Sequence, residues 1–326
     1  GRDQTGVSGS VYIGENAGHS VSTGQQNIAI GKDAMNGGTV TGDNNIAIGV
    51  KAGDALTSGL RNVFVGQNAG GAAQGADYNT AVGDNALAAN IHAQYNAVFG
   101  LNAGDATTAG TRLTLLGTAA GRGNITADGI GTVAVGYAAY SIGTSGIGNT
   151  VVGYEALDAE DDGDHNTAIG YQALTDQTGV SGTVANTAVG YLAGANVTTA
   201  VKNTIVGANA LVTATTAGYN VVVGEAAGGN ATTASGSVFL GFQAGLNLTT
   251  GNQNIAIGSQ TMHNAAVTGD NNIAMGNLAG SALTSGQDNI FIGRDAGVDV
   301  TTAIRNIFIG MQSGHDLVGG DGGNTG

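Results

Sequence analysis

A short apolar run closed by glycine returns along this chain at nearly constant intervals. Asn27-Ile28-Ala29-Ile30-Gly31 reappears at 45–49 and 254–258, with variants in between. Taking the closing glycine as an anchor, 18 copies run from Gly14 to Gly310, and most successive anchors stand seventeen positions apart. Four spacings are longer, by one to three positions, and the extra residues fall between the anchored runs. The residue just before the anchor is apolar in every copy, and three before it stands Val, Ile or Thr except at Ala97. Asn occupies the position four before the anchor in 14 copies, and Ala the position three after it in 16. The next position, four after the anchor, alternates between Gly and larger residues such as Met35, Leu87 and Leu174.

Three residues with β-branched ends predict a short strand with alternating faces. So short a repeat has no room for two parallel strands and a helical crossover. It suits one coil of a solenoid, whose inner face is buried only when coils stack. The expected fold is therefore all-β: a parallel β-solenoid (β-roll or β-helix) of about 18 coils with a 17-residue repeat, over residues 10–318. Residues 1–9 read as a lead-in and 319–326 as a flexible Gly-rich tail. The pattern carries no polar cap at either end, which predicts either a longer chain or end-to-end stacking into a filament.

Each column of the repeat has a physical meaning. The asparagines are Asn27, Asn45, Asn62, Asn79, Asn96, Asn149, Asn166, Asn186, Asn203, Asn220, Asn254, Asn272, Asn289 and Asn306. Stacked amides hydrogen-bond from coil to coil, or else each Asn serves a turn that needs a left-handed backbone. The Ala column marks a site with room for a methyl group. If the two flanking strand positions face the core, the central one faces outward. There the chain has Tyr12, Phe64, Val98, Phe239, Phe291 and Phe308, which would form an apolar stripe for self-association.

The unit Asn166-Thr167-Ala168-Ile169-Gly170-Tyr171-Gln172-Ala173-Leu174 resembles repeats of phage tail fibres and bacterial fibre adhesins. It is also similar to the heads of trimeric autotransporter adhesins, whose units are shorter. The resemblance spans residues 10–314, although Leu113 and Thr132 replace the Asn. It implies a parallel homotrimer, extracellular, on a cell surface or on a virion, acting as a shaft or attachment surface for a receptor or glycan.

Composition narrows the function. Of 326 residues 60 are Gly, none is Pro, Cys or Trp, and 10% are charged. Missing Pro fits a fold in which strand N–H groups bond to the neighbouring coil. A net charge of −14 without clustered basic residues argues against nucleic acid as a partner, and no apolar run is long enough to insert in a membrane. No nucleophile–base set can be assembled, so the expectation is a non-enzyme without a cofactor. The acidic run Asp158, Glu160, Asp161, Asp162 and Asp164 is a weak candidate for Ca²⁺, its spacing matching no calcium loop; a solvated acidic turn is the favoured reading. Thr198, Thr215, Thr232 and Thr249 recur in four consecutive coils, each followed by a second Thr. Such an array either lines an ice-binding face, a remote alternative, or stabilises turns.

Overall fold

The computed structural model describes residues 8–178 and 180–317. Among them every regular element is a short β-strand, and none is a helix. The Gly-rich tail lies outside the described residues. The chain divides into two compact units, Gly1–His165 with Ser181–Thr183, and Asn166–Val180 with Val184–Gly326. Each contains nine coils, and each coil contributes one three-residue strand ending just before its anchor. The first unit runs from Val11–Ile13 to Thr150–Val152, the second from Thr167–Ile169 to Ile307–Ile309. Within each unit successive strands pair in parallel, so the fold is a parallel β-solenoid of 18 coils. The longer coils do not shift the pairing. Ile28 still pairs with Ile46, Leu116 with Val135 and Thr167 with Thr187, although their coils are one, two and three positions longer than the common repeat.

Glycine is required at the anchor for two reasons. All 18 anchors have φ between +126° and +148°, a region other residues essentially never enter. A Cβ there would also meet the backbone of the next anchor, 2.8 Å from the Gly258 carbonyl oxygen in the case of Gly241.

The 14 asparagines are buried and form a ladder within each unit. Asn62 shows the pattern. Its backbone N–H donates to Asn45 Oδ1 at 3.0 Å, and its own Oδ1 accepts from the Asn79 N–H at 3.0 Å. Its Nδ2 donates to the Ala76 carbonyl at 2.6 Å and to Asn45 Oδ1 at 3.0 Å. The left-handed residue at this turn is the one before the Asn, for example Gln26 and Arg61 at φ +56°. The asparagine therefore serves as the cross-link between coils, not as the turn residue. Where Ser replaces it, the hydroxyl still accepts: Ser237 Oγ takes the Asn254 N–H at 3.1 Å.

The strand faces are reversed relative to the sequence expectation. The central residue points into the core, and the two flanking residues point outward. Phe64, Val98, Phe239 and Phe291 are fully buried, Phe308 is 3% exposed and Tyr12 is half-buried, so these residues do not make a surface stripe. The physical reason lies in a thin core with one inward residue per strand. Opposite it stand the Ala column and the residue four after the anchor.

Those two variable columns compensate each other in size. A Cβ at Gly70 would lie 2.6 Å from the Phe64 ring, and one at Gly53, a coil earlier, 3.2 Å from it. The same holds for Phe239 with Gly228 and Gly245, and for Phe291 with Gly280 and Gly297. Where the central residue is Ala29, Ala81 or Ala256, the same coil instead supplies Met35, Leu87 or Met262, all fully buried. One ring fills two levels, and glycine at both levels makes room for it. Constant packing density demands this exchange. Ile205 with Leu211 departs from it, both being buried.

Two measurements test this core. Asn62→Ala strands the Asn79 N–H and the Ala76 carbonyl, and is expected to cost about 2–4 kcal/mol in urea unfolding. Asn62→Ser keeps an acceptor and should cost less. Gly70→Leu alone is expected to be severely destabilising, and Phe64→Ala alone to cost about 3–5 kcal/mol. Together they recreate the Ala81–Leu87 pairing. The double variant should therefore be more stable than the sum of the single effects by at least ~2 kcal/mol in a double-mutant cycle.

Candidate functional site

With the central residues inside, the exposed strand face is built from the flanking positions. The residues three before and one before the anchor give 18 × 2 = 36 positions without a single charged residue. The position just before the anchor is Val, Ile, Leu, Met or Phe throughout. Ile13, Leu116, Phe99, Val223 and Ile309 are among the large apolar side chains on the surface, Ile309 reaching 59% exposure. β-Branched side chains suit such a pleated surface whether or not it is covered, which leaves the sequence pattern ambiguous.

An aromatic edge adjoins this face in the column just after the anchor. Tyr137 stacks on Tyr154 in the first unit, with ring centroids 5.1 Å apart. Tyr171 stacks on Tyr191 in the second, at 5.5 Å. Tyr78 and Tyr95, five before their anchors, form a third stack at 5.1 Å. The period alone places the members of each pair one coil apart. Sequence reasoning that follows only the strand residues misses them.

The acidic turn is only partly a cluster. Glu160, Asp161 and Asp162 bring one carboxylate oxygen each within 4.8 Å of one another. Glu160 is fully buried in a core column that carries Leu56 and Ala73 in other coils. Its Oε1 accepts the N–H of Gly163 at 2.8 Å and that of Asp162 at 3.3 Å. Asp164 Oδ1 instead accepts the Ile147 N–H at 2.8 Å, one coil away, and the Asp158 carbonyl accepts from Ser141 Oγ at 3.3 Å. Burial and the neighbouring Asp161 charge raise the Asp162 pKa above the ordinary carboxylate value. Burial, with the Glu160 charge adding to it, pushes the Tyr140 phenol well above its ordinary value. Its ring fills a gap lined by Gly143 and Gly146, where a Cβ would collide with it.

A second grouping joins Asp299, His315 and Asp316. His315 Nδ1 lies 3.0 Å from Asp316 and 3.4 Å from Asp299. The hydrogen bond to Asp316, followed by the charges around it, raises the imidazole pKa despite some desolvation. The two aspartates occupy the same repeat phase in successive coils, a signal that the period of the sequence contains.

The threonine array is tied down. Thr198, Thr215 and Thr232 each donate Oγ1–H to the carbonyl of the equivalent Thr one coil on, at 3.0, 3.3 and 3.1 Å. Thr249 donates likewise to the Val267 carbonyl at 3.3 Å. These hydroxyls spend their protons on backbone carbonyls of the next coil and so stabilise the turns.

The role of the acidic turn is testable by one pair of variants. Glu160→Gln keeps an acceptor for the Gly163 N–H and removes a buried charge, so unfolding stability is expected to be unchanged or raised. Glu160→Ala leaves that buried N–H unpaired and should cost about 1–3 kcal/mol. Urea unfolding in the presence of Ca²⁺ reads both; a Gln variant less stable than Ala would mean that the charge itself is used.

No protein-family profile matches the chain, and no curated protein matches it in sequence.

Proposed function

We propose that the protein is a non-catalytic structural element, the shaft or adhesive surface of an extracellular or virion-borne fibre, assembled as a homotrimer. One observation carries this reading: 36 outward strand positions bear no charge in a chain whose net charge is −14. Copies of such a chain repel each other everywhere except at a face free of charge. That face is mostly aliphatic, with Thr at six of the 36 positions, is continuous from coil to coil within each unit and is equal to itself in every copy. Burial of apolar area there drives association at roughly 25 cal/mol per Å² before entropic costs. The resemblance of the repeat to fibre adhesins sets the order of the assembly at three.

The mass in solution tests the proposal. Light scattering is expected to give three times 31.7 kDa, about 95 kDa. Lysine at Ile48, Ile169 and Val223, all more than a third exposed, should yield a monomer with an unchanged circular-dichroism spectrum. A wild-type monomer would overturn the reading. Indefinite filaments would replace it with end-to-end stacking of coils.

A further inference from the structure

The seventh coil departs from the repeat, its closing anchors Gly117 and Gly136 standing two positions further apart than usual. Its turn carries Arg122, the only Lys or Arg in the column five places after the anchor. One coil apart in the column after the anchor, small Thr118 precedes large Tyr137. One face of the Tyr137 ring is covered by Tyr154, the rings lying 16° from parallel. The other face turns toward the seventh coil. There a hollow of about 340 Å³ opens, bordered by Arg122, Gly123, Tyr137, Ser141 and Ile142. Gly123 is held without a side chain because a Cβ would strike the backbone of Ile142 and Gly143, so the two coils approach closely at the edge of the hollow.

The polar groups at this hollow have capacity to spare. Arg122 Nε makes a loose ion pair with Asp105 at 3.9 Å, too long for a hydrogen bond, and its side chain is 62% exposed, so the fork keeps donors for a second partner. Among the described residues its guanidinium donates no hydrogen bond. Ser141 Oγ spends its proton on the Asp158 carbonyl and retains lone pairs that can accept. Ile142 is half exposed and adds an apolar wall.

We propose that this hollow binds a pyranose carrying a carboxylate, a hexuronic or sialic type of sugar. The guanidinium fork matches a carboxylate in plane and charge. The open Tyr137 face and Ile142 take the C–H face of the ring, and Ser141 accepts from a ring hydroxyl. The volume is at the lower end of the range of small-molecule sites, ~300–1,000 Å³, and suits one sugar residue. The site gives the adhesive reading a ligand class and rests on that reading for its purpose. It is built by a single chain, so its binding does not depend on self-association.

Saturation-transfer NMR on the whole chain tests it, with sodium glucuronate, N-acetylneuraminate and glucose as probes. At least one of the two acidic sugars is expected to receive saturation on its ring protons, and to bind about tenfold more tightly than glucose, the equivalent of one charge-assisted hydrogen bond. Arg122→Gln should remove that tenfold preference, and Tyr137→Ala should abolish transfer to either acid. Both side chains are exposed, and circular dichroism reports whether each variant keeps the fold. No transfer to either acid, equal transfer to glucose, or unchanged binding in Arg122→Gln would overturn the proposal. A monomeric mass would sink the trimer and leave this result standing.

Discussion

A buried amide in nearly every coil holds this fold together. The three-residue strands pair in parallel, and further backbone bonds join the turns from coil to coil, such as Gly70 N–H to the Ala86 carbonyl at 3.0 Å and Tyr78 N–H to the Leu60 carbonyl at 2.9 Å. The asparagines add a buried side-chain link to this backbone pairing. The Asn side chain reaches from the strand entrance to a carbonyl in the next coil, while its oxygen takes the next coil's N–H. Each of these groups is shielded from water, so an absent partner costs more than a present one gains. The ladder therefore acts as a registration device: a coil that slipped by one residue would leave both a donor and an acceptor unpaired. Short insertions are tolerated because they fall outside the stretch from Asn to anchor. Thr167 still pairs with Thr187 across the longest coil.

Given that frame, the core needs little material. Around the strand, one inward residue, one Ala and one residue of adjustable size share each level. Further small or aliphatic columns such as Leu56, Ala73 and Ala76 fill the turn side, and the aromatic rings borrow space from glycines in two coils. Phe291 and Phe308 even stack on each other, with centroids 5.7 Å apart. A core so thin leaves the aliphatic strand flanks on the outside. The same economy that spares large buried side chains produces the uncharged face on which the proposed assembly rests. Buried Glu160 shows how polar groups enter the scheme: its column also carries buried Asn90, Thr107 and Gln177, and its Oε1 accepts backbone N–H groups at its own turn.

Much of this is legible in the sequence, and the one reversal is instructive. The period, the strand positions, the anchor glycines and the asparagine column follow from spacing and residue type alone. The column leaves ladder and turn residue open, however, and the coil-to-coil bonds of Asn62 decide for the ladder. Facing does not follow, because alternation in a three-residue strand leaves two assignments open. The uniform β-branched columns look like core and the variable column like surface. In fact variability marks the core, since Phe64 and Ala81 are each matched by the residue four after their anchor, Gly70 and Leu87. Reading these two columns together exposes the exchange of volume and settles the orientation. The ring stacks and the hollow beside Arg122 depend on local coil length and are not readable from the average repeat.

The central claim is that buried asparagine amides, not the strands alone, register the coils. Native-state hydrogen exchange tests it most directly, at the backbone amides of Asn62, Asn79 and Leu113, each bonded to the side-chain oxygen of the preceding coil's Asn. Protection is expected to equal that of the neighbouring strand amides, Val63, Thr80 and Thr114. Exchange as fast as at the exposed turn amides would contradict it.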